Sequence, residues 1–283
     1  MIIYRVIIAK DSRRYLALIL FFNCIIIQNE CFGDSMAIDK ERIVTGVLLV
    51  GGVYLIGVID SFFLTWLFLG AVYMLAFYEA MKLFGLRNNS LFFYALLLWI
   101  VASFYPYGDD LFVIAGVVFA SIVAYTQRLE WNYFKPFLYP TAGMLFILSL
   151  YQEYSMTAML WLLVVVAVTD IGAYVVGRSI GKRPFCATSP KKTLEGVVGG
   201  VLFATLAGTY VGINIVDIEK ALIVSFFVAL FSIFGDLFES YLKRQAGVKD
   251  SGTILPGHGG VLDRIDGYLF GGVVMLVLLR GIV

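Results

Sequence analysis

Apolar residues run in long blocks along this chain, and polar residues are confined to the short stretches between them. From residue 43 the blocks are regular: 43–59, 62–78, 90–104, 111–125, 136–151, 156–176, 197–216, 221–237 and 268–283. Each approaches the ~20 residues that a helix needs to cross ~30 Å of hydrocarbon, with allowance for tilt and local thinning of the bilayer. Inside a bilayer no water is available to the backbone, so a spanning segment must satisfy its own N–H and C=O groups. The pattern therefore predicts an all-α, polytopic integral membrane protein with about nine transmembrane helices. Blocks 43–59 and 62–78 are separated only by Asp60 and Ser61, which predicts a tight helical hairpin.

Composition supports this reading. The chain has 283 residues, of which 61% are hydrophobic and 14% charged, and its mean hydropathy is +0.91. A soluble domain has about 45–50% apolar and roughly 25% charged residues. The net charge of +1 says little, because in membrane proteins the placement of charge matters more than its sum. Cys24, Cys31 and Cys186 show no metal-site spacing and cannot all pair. The single histidine has no G-x-S-x-G partner, which argues against a hydrolase triad.

Charge placement predicts orientation. The segment before the first block and the loops after the second, fourth, sixth and eighth hold Lys40, Arg42, Lys82, Arg87, Arg128, Lys135, Arg178, Lys182, Arg183, Lys191, Lys192, Lys243, Arg244, Lys249 and Arg264. The opposite side holds Lys220 and Arg280. Such a bias puts the N-side in the cytoplasm, and an odd number of spans puts the C-terminus outside. A bacterial-type inner (plasma) membrane is the expected location.

Residues 1–35 depart from the pattern. Lys10, Arg13 and Arg14 precede a short apolar run at 15–27, followed by Gln28, Asn29 and Glu30. A cleaved signal, an extra weak helix and a start assigned upstream of the true one all fit. The third is favoured, because Met36 followed by Ala-Ile-Asp-Lys-Glu-Arg looks like an ordinary cytoplasmic start. The expected organisation is an N-terminal extension at 1–35, N-terminal transmembrane helices at 36–155, and C-terminal helices at 156–283 that carry a cytoplasmic-face site.

The polar groups of that site fall in four places. Asp170 lies inside the sixth block, with Tyr174 one turn on and able to hydrogen-bond it. An acid at membrane depth costs ~2.5–3.5 kcal/mol on insertion scales and marks a functional candidate; solvation near the helix end is the plainer reading. The loop at 178–195 carries Ser189, Lys191, Lys192, Thr193 and Glu195 before a glycine-opened helix. Helix N-termini offer free N–H groups to an oxyanion, although Thr193 and Glu195 also suit a plain helix cap. At the end of the eighth block, Asp236, Glu239, Ser240 and Lys243 follow at i, i+3, i+4 and i+7, one face of a helix.

The fourth place runs from Ser240 to Asp266. Lys243, Arg244, Lys249, Asp250, Asp263, Arg264, Asp266 and the only histidine, His258, are gathered there, with Pro256, Gly259 and Gly260 among them. The glycines allow close backbone approach. Asp263 and Asp266 share a face at the start of the last helix. His258 alone is more often a hydrogen-bonding loop residue than a ligand or base. Carboxylates beside a polyphosphate need a cation between them, and Mg2+ uses one or two carboxylates plus substrate phosphates. Arginine and lysine neutralise the remaining phosphate charge. Acids, bases and glycines on one membrane face point to metal-assisted phosphoryl or nucleotidyl transfer.

The run Ser240-x-x-Lys243-Arg244-x4-Lys249-Asp250-x5-Pro256-x-His258-Gly259-Gly260-x-x-Asp263-Arg264-x-Asp266 resembles the signature of phosphatidate cytidylyltransferases, the CDP-diacylglycerol synthases. The segments around Asp170, Ser189 to Gly196 and Gly235 to Ser240 resemble the same family. The likeness is firm over 156–283 and weak over 43–151. It implies CTP plus phosphatidate giving CDP-diacylglycerol and pyrophosphate, with Mg2+, a second cation such as K+, and a homodimer. It implies Asp236 and Asp263 as metal ligands, with Lys243 and Arg264 also catalytic. The remaining site residues would hold substrate: Asp170, Ser189, Lys191, Lys192, Thr193, Glu195, Ser240, Arg244, Lys249, Asp250, His258, Gly259, Gly260 and Asp266. A related CTP-dependent membrane lipid kinase, or a cytidylyltransferase acting on another lipid, is the nearer rival. A secondary transporter is the more distant one, since the polar groups cluster at one interface rather than midway.

Overall fold

In the computed structural model, residues 40–127, 129–255 and 259–282 are described; the extension at 1–35 and His258 lie outside them. The helices are α1 (Lys40–Ile59), α2 (Phe62–Leu83), α3 (Ser90–Phe104), α4 (Asp110–Thr126), α5 (Ala142–Ile180), α6 (Leu194–Gly212), α7 (Ile218–Gln245) and α8 (Leu262–Ile282). A 3-10 turn at Trp131–Phe134 and a π turn at Phe137–Thr141 lead into α5. Among the described residues the only β pairings are isolated bridges, Pro184 with Thr193 and Leu255 with Gly259.

Five segments are long and apolar enough to cross a bilayer: Phe62–Leu83, Trp131–Ile180, Leu194–Gly212, Ile218–Gln245 and Leu262–Ile282. Ser90–Phe104 and Asp110–Thr126 are apolar but shorter. The long α5 is broken at Ser155, whose φ of 61° and ψ of −174° lie outside the helical region. That break falls between the apolar blocks at 136–151 and 156–176. Two helices outrun their apolar blocks. Helix α7 continues to Gln245, because polar residues on one face and Leu237, Phe238 and Leu242 on the other keep it amphipathic. Helix α8 begins at Leu262, which places Asp263 in its first turn.

Helices α5 to α8 share one core. Trp161, Leu162, Val165 and Val166 of α5 meet Ala204 of α6, Val224 and Val228 of α7, and Leu269, Met275 and Leu276 of α8. Helices α5 and α6 approach backbone to backbone: a Cβ on Gly200 would lie 2.6 Å from the Thr169 carbonyl oxygen. Small residues at such crossings permit the van der Waals contact that drives helix association in lipid. The opposite face of α6 carries exposed Val198, Leu202 and Leu206 at four-residue spacing, which suits a hydrocarbon solvent. Helix α2 packs on the π turn through Phe77 and Phe137, with ring centroids 5.4 Å apart. Tyr73 of α2 also lies 2.9 Å from Thr141 Oγ1. Thr141 gives its own proton to the Pro136 carbonyl at 2.9 Å, so Tyr73 is the donor of that bond.

The C-terminal end of α8 is clamped. Arg280 Nη1 and Nη2 donate to the two Asp109 oxygens at 2.6 and 2.8 Å, and Nε donates to Glu153 at 3.0 Å. The Ser149 hydroxyl accepts from the Asp109 amide at 3.0 Å. Burial pushes the Asp109 carboxyl up, but its bonds to Arg280 outweigh this and hold it below the ordinary carboxylate value. Arg280→Ala strands the buried Asp109 carboxylate. Because the Arg280 side chain is 31% exposed, the expected loss is about 2–3 kcal/mol, below the ~3–5 kcal/mol of a fully buried pair. Thermal unfolding in detergent measures it. The bond holds the folded-state value of Asp109 down, so its contribution is present above the unfolded value and fades as pH falls. The gap between wild type and variant therefore narrows below about pH 4.

Candidate active site

At the other end of the bundle, α7 and α8 bring charges together. The four residues Asp236, Glu239, Ser240 and Lys243 do share one face of α7. Lys243 Nζ donates to Glu239 Oε2 at 2.7 Å and to Asp263 Oδ1 at 2.6 Å, tying α7 to α8. The other Asp263 oxygen accepts from Gly260 N at 2.8 Å, Ser251 N at 3.0 Å and Ser251 Oγ at 3.0 Å. A carboxylate that bonds back to an N–H just ahead of its own helix behaves as in a capping box. The turn before it depends on Gly259, whose φ of 82° favours glycine. Helices α7 and α8 run close here, since a Cβ on Gly235 would lie 2.5 Å from the Asp266 carbonyl oxygen.

The loop between α5 and α6 supplies the facing side. It is a short antiparallel hairpin, with Phe185 N on Lys192 O at 2.8 Å and Leu194 N on Arg183 O at 2.9 Å. The Glu195 carboxylate gathers Lys182 N at 3.1 Å, Arg183 N at 3.2 Å and Arg183 Nε at 3.1 Å. Thr193 caps α6, its hydroxyl accepting from Gly196 N at 3.2 Å. Glu195 and Thr193 thus hold the loop, as a plain cap would. The Ser189 carbonyl accepts from Lys192 N at 3.1 Å, closing the turn that presents Lys191 and Lys192. Lys192 reaches across to pair with Asp236, and Ser240 Oγ donates to the second Asp236 oxygen at 3.4 Å. Asp170 is exposed on α5, within electrostatic reach of Asp236, Lys192 and Arg264. The Tyr174 hydroxyl accepts from Arg178 at 2.7 Å.

The sequence profile of the cytidylyltransferase family matches residues 40–282. A phosphatidate cytidylyltransferase of Helicobacter pylori is 44% identical over 244 residues, 85% of this chain and 92% of that protein. Those of Thermotoga maritima and Bacillus subtilis are 34% and 33% identical, covering 74% and 82% of this chain and 85% and 94% of their own lengths. The chain belongs to the cytidylyltransferase family.

Several of the expected site residues, Lys191, Lys249, Asp250 and Arg264, are exposed, and exposed Arg244 donates to the Val248 carbonyl at 3.1 Å. Asp266 accepts from Gly267 N at 2.8 Å and feels the charges of Asp236, Glu239 and Asp170. Among the described residues no three His, Cys, Asp or Glu side chains form a ready metal cage. Lysines stand between the acids instead: Lys192 on Asp236, and Lys243 between Glu239 and Asp263.

Three residues escaped the sequence reading. Ser251 is buried on Asp263. Tyr139 is buried, and its hydroxyl faces the charges of Asp266, Glu239, Asp236 and Asp263. Glu79 of α2 is fully buried and bonds the start of α8. The signal for Glu79 was available: it is an acid in an apolar helix, the rule that singled out Asp170. Ending the second block at residue 78 put it in a loop. Nothing in the sequence distinguishes Tyr139 from sixteen other tyrosines.

Lys243, Glu239 and Asp263 side chains are 11%, 1% and 9% exposed. Removing the ammonium from such a group costs about 3–5 kcal/mol, because the carboxylates stay buried and unpaired. Lys243→Met is expected to lose that much in unfolding midpoint measurements. The double variant Glu239→Gln/Lys243→Met should recover at least half of the loss.

Proposed function

We propose that this enzyme transfers the CMP group of CTP to phosphatidate, giving CDP-diacylglycerol and pyrophosphate. The observation that carries the reading is the ring of lysines and carboxylates at one end of an apolar bundle, in a chain of this family. The relatives' names supply the acceptor. A phosphatidate phosphate oxygen attacks the α-phosphorus of CTP, the bond to the β-phosphate oxygen breaks, and pyrophosphate leaves. The attacking oxygen is already anionic, so no strong general base is required. Lys191, Lys192, Lys243, Arg244 and Arg264 hold phosphates. An ammonium on a flexible four-carbon stem can turn from carboxylate to phosphate, which suits Lys192 and Lys243.

The residues present fit a divalent cation. Glu239 Oε1 and the Tyr139 hydroxyl are buried polar atoms without a hydrogen-bond partner among the described residues, and both sit among carboxylates. Asp236 and Asp263 would hold Mg2+, with a second cation such as K+ nearby. When bound, the metal would neutralise the phosphates and the leaving pyrophosphate. The same reading makes nine passes, counting α1 to α4, the two arms of α5, and α6 to α8. The charge asymmetry supports an N-side in the cytoplasm, and so a site at the cytoplasmic face of the inner membrane. Asp263 and Arg280 are 17 residues apart on α8, about 26 Å at 1.5 Å per residue, which fits opposite interfaces. A homodimer belongs to this reading on the family likeness alone.

Purified protein with phosphatidate, Mg2+ and CTP labelled at its α-phosphate tests the reaction. Label entering the lipid and pyrophosphate in solution are expected. Transfer of a γ-phosphate label instead would assign a lipid kinase. Asp263→Asn should lower turnover by about 100-fold or more while the protein stays folded in detergent. Near wild-type turnover in that variant would sink its role in the site.

A further inference from the structure

Glu79 lies in the N-terminal half of the chain, on α2, yet its carboxylate is bonded by the segment that shapes the site. Oε2 accepts from Leu262 N at 2.8 Å and lies 3.1 Å from Ser251 Oγ, and Oε1 accepts from Val261 N at 3.1 Å. The partners are 172 to 183 residues away in sequence. Room for the carboxylate is made by two glycines of the same segment. A Cβ on Gly252 would lie 2.8 Å from Glu79 Cδ, and one on Gly260 would lie 2.6 Å from Oε2. The side chain is fully buried, so water does not replace these bonds.

Each partner of Glu79 also fixes Asp263. Val261, just before α8, and Leu262, its first residue, lie two and one residues ahead of it. Ser251 is bonded to Asp263 Oδ2 through both its amide and its hydroxyl, each at 3.0 Å. The Ser251 hydroxyl therefore sits between the two carboxylates, with one proton to give. Fixing Ser251 and the end of α8 fixes the direction in which Asp263 points.

We propose that Glu79 is a positioning residue for the nucleotidyl transfer. It acts through Ser251 and the start of α8 to aim the Asp263 carboxylate, and so couples α2 to the chemistry. The proposal rests on the role assigned to Asp263 above. In Glu79→Gln the amide cannot serve the same donors: in either rotamer its NH2 meets Val261 N–H or Leu262 N–H.

The test compares Glu79→Gln, Ser251→Ala and Asp263→Asn, each purified in detergent and judged folded by gel filtration and thermal unfolding. For Glu79→Gln the expected result is a kcat lower by about 10–100-fold, the usual effect of losing a partner that orients a metal ligand. KM for CTP should stay within about threefold, and the Mg2+ concentration for half-maximal rate should rise. Titration calorimetry with Mg2+ alone should show weaker binding in the same variant. Ser251→Ala should move the same quantities in the same direction. Wild-type kcat and Mg2+ response in folded Glu79→Gln would overturn the proposal. A loss of active fraction, with the surviving molecules showing wild-type Mg2+ half-saturation, would also overturn it, since that is what a purely structural cap would give. If Glu79→Gln does not fold, Ser251→Ala decides in the same terms. Activity retained in Asp263→Asn would sink the site reading itself. An inactive Asp263→Asn beside a wild-type Glu79→Gln would sink only the positioning role.

Discussion

Lys243 holds two carboxylates from two helices at one end of an apolar bundle. Glu239 and Asp263 are nearly sealed from solvent, and each would carry an uncompensated charge without the ammonium between them. A buried ion pair is not a strong source of net stability, because desolvation consumes most of the Coulomb gain. Its effect is on geometry: only an arrangement that keeps Lys243 between both acids is tolerable. The relative placement of α7 and α8 follows from that requirement, and so does the placement of the residues carried beside them. Asp236 and Ser240 ride on the same face of α7, and Asp266 lies one turn beyond Asp263.

The site is assembled from distant parts of the chain. The hairpin between α5 and α6 brings Lys192 to Asp236, and Glu195 holds that hairpin by its backbone. Helix α2 brings Glu79 under the turn that leads into α8. The Tyr73 hydrogen bond to Thr141 and the ring contact of Phe77 with Phe137 hold α2 against the segment before α5, so α2 helps to frame the candidate site. Arg280 secures the far end of α8 on Asp109 and Glu153. One helix is thus pinned at both ends by ion clusters, with small residues and packed apolar side chains between.

Much of this was readable before the structure. Apolar blocks located the helices, because a backbone in hydrocarbon has no alternative to internal hydrogen bonding. The one-face spacing of Asp236, Glu239, Ser240 and Lys243 is plain periodicity, and the structure bonds Ser240 to Asp236 and Lys243 to Glu239, each one turn apart. The glycine-rich run before Asp263 signalled close backbone approach, and Gly260 lies against Ser251 and Glu79. Helix ends were less legible: α7 and α8 extend into polar sequence, where hydropathy loses its signal but amphipathic packing does not.

What the sequence by itself determined was the all-helical class, the family, and several of the charged residues that converge at one end, among them Asp236, Glu239, Lys243 and Asp263. Those depend on local periodicity and on residue types at short spacing. Only the tertiary structure decided which charge meets which. Lys192 could have faced any acid in the set, and it meets Asp236 because the α5–α6 hairpin folds over that side of α7. Glu79 and Tyr139 joined the site across long sequence separations; an acid in an apolar helix marks Glu79 locally, but which groups it meets is set by helix packing. Thr193 and Glu195 looked equally suited to phosphate or to a helix cap, and the structure engages them as a cap because the backbone N–H groups at 182, 183 and 196 lie within reach. Pairing of this kind is set by three-dimensional proximity in a medium where an unpaired charge or N–H is costly, and spacing along a chain cannot specify it.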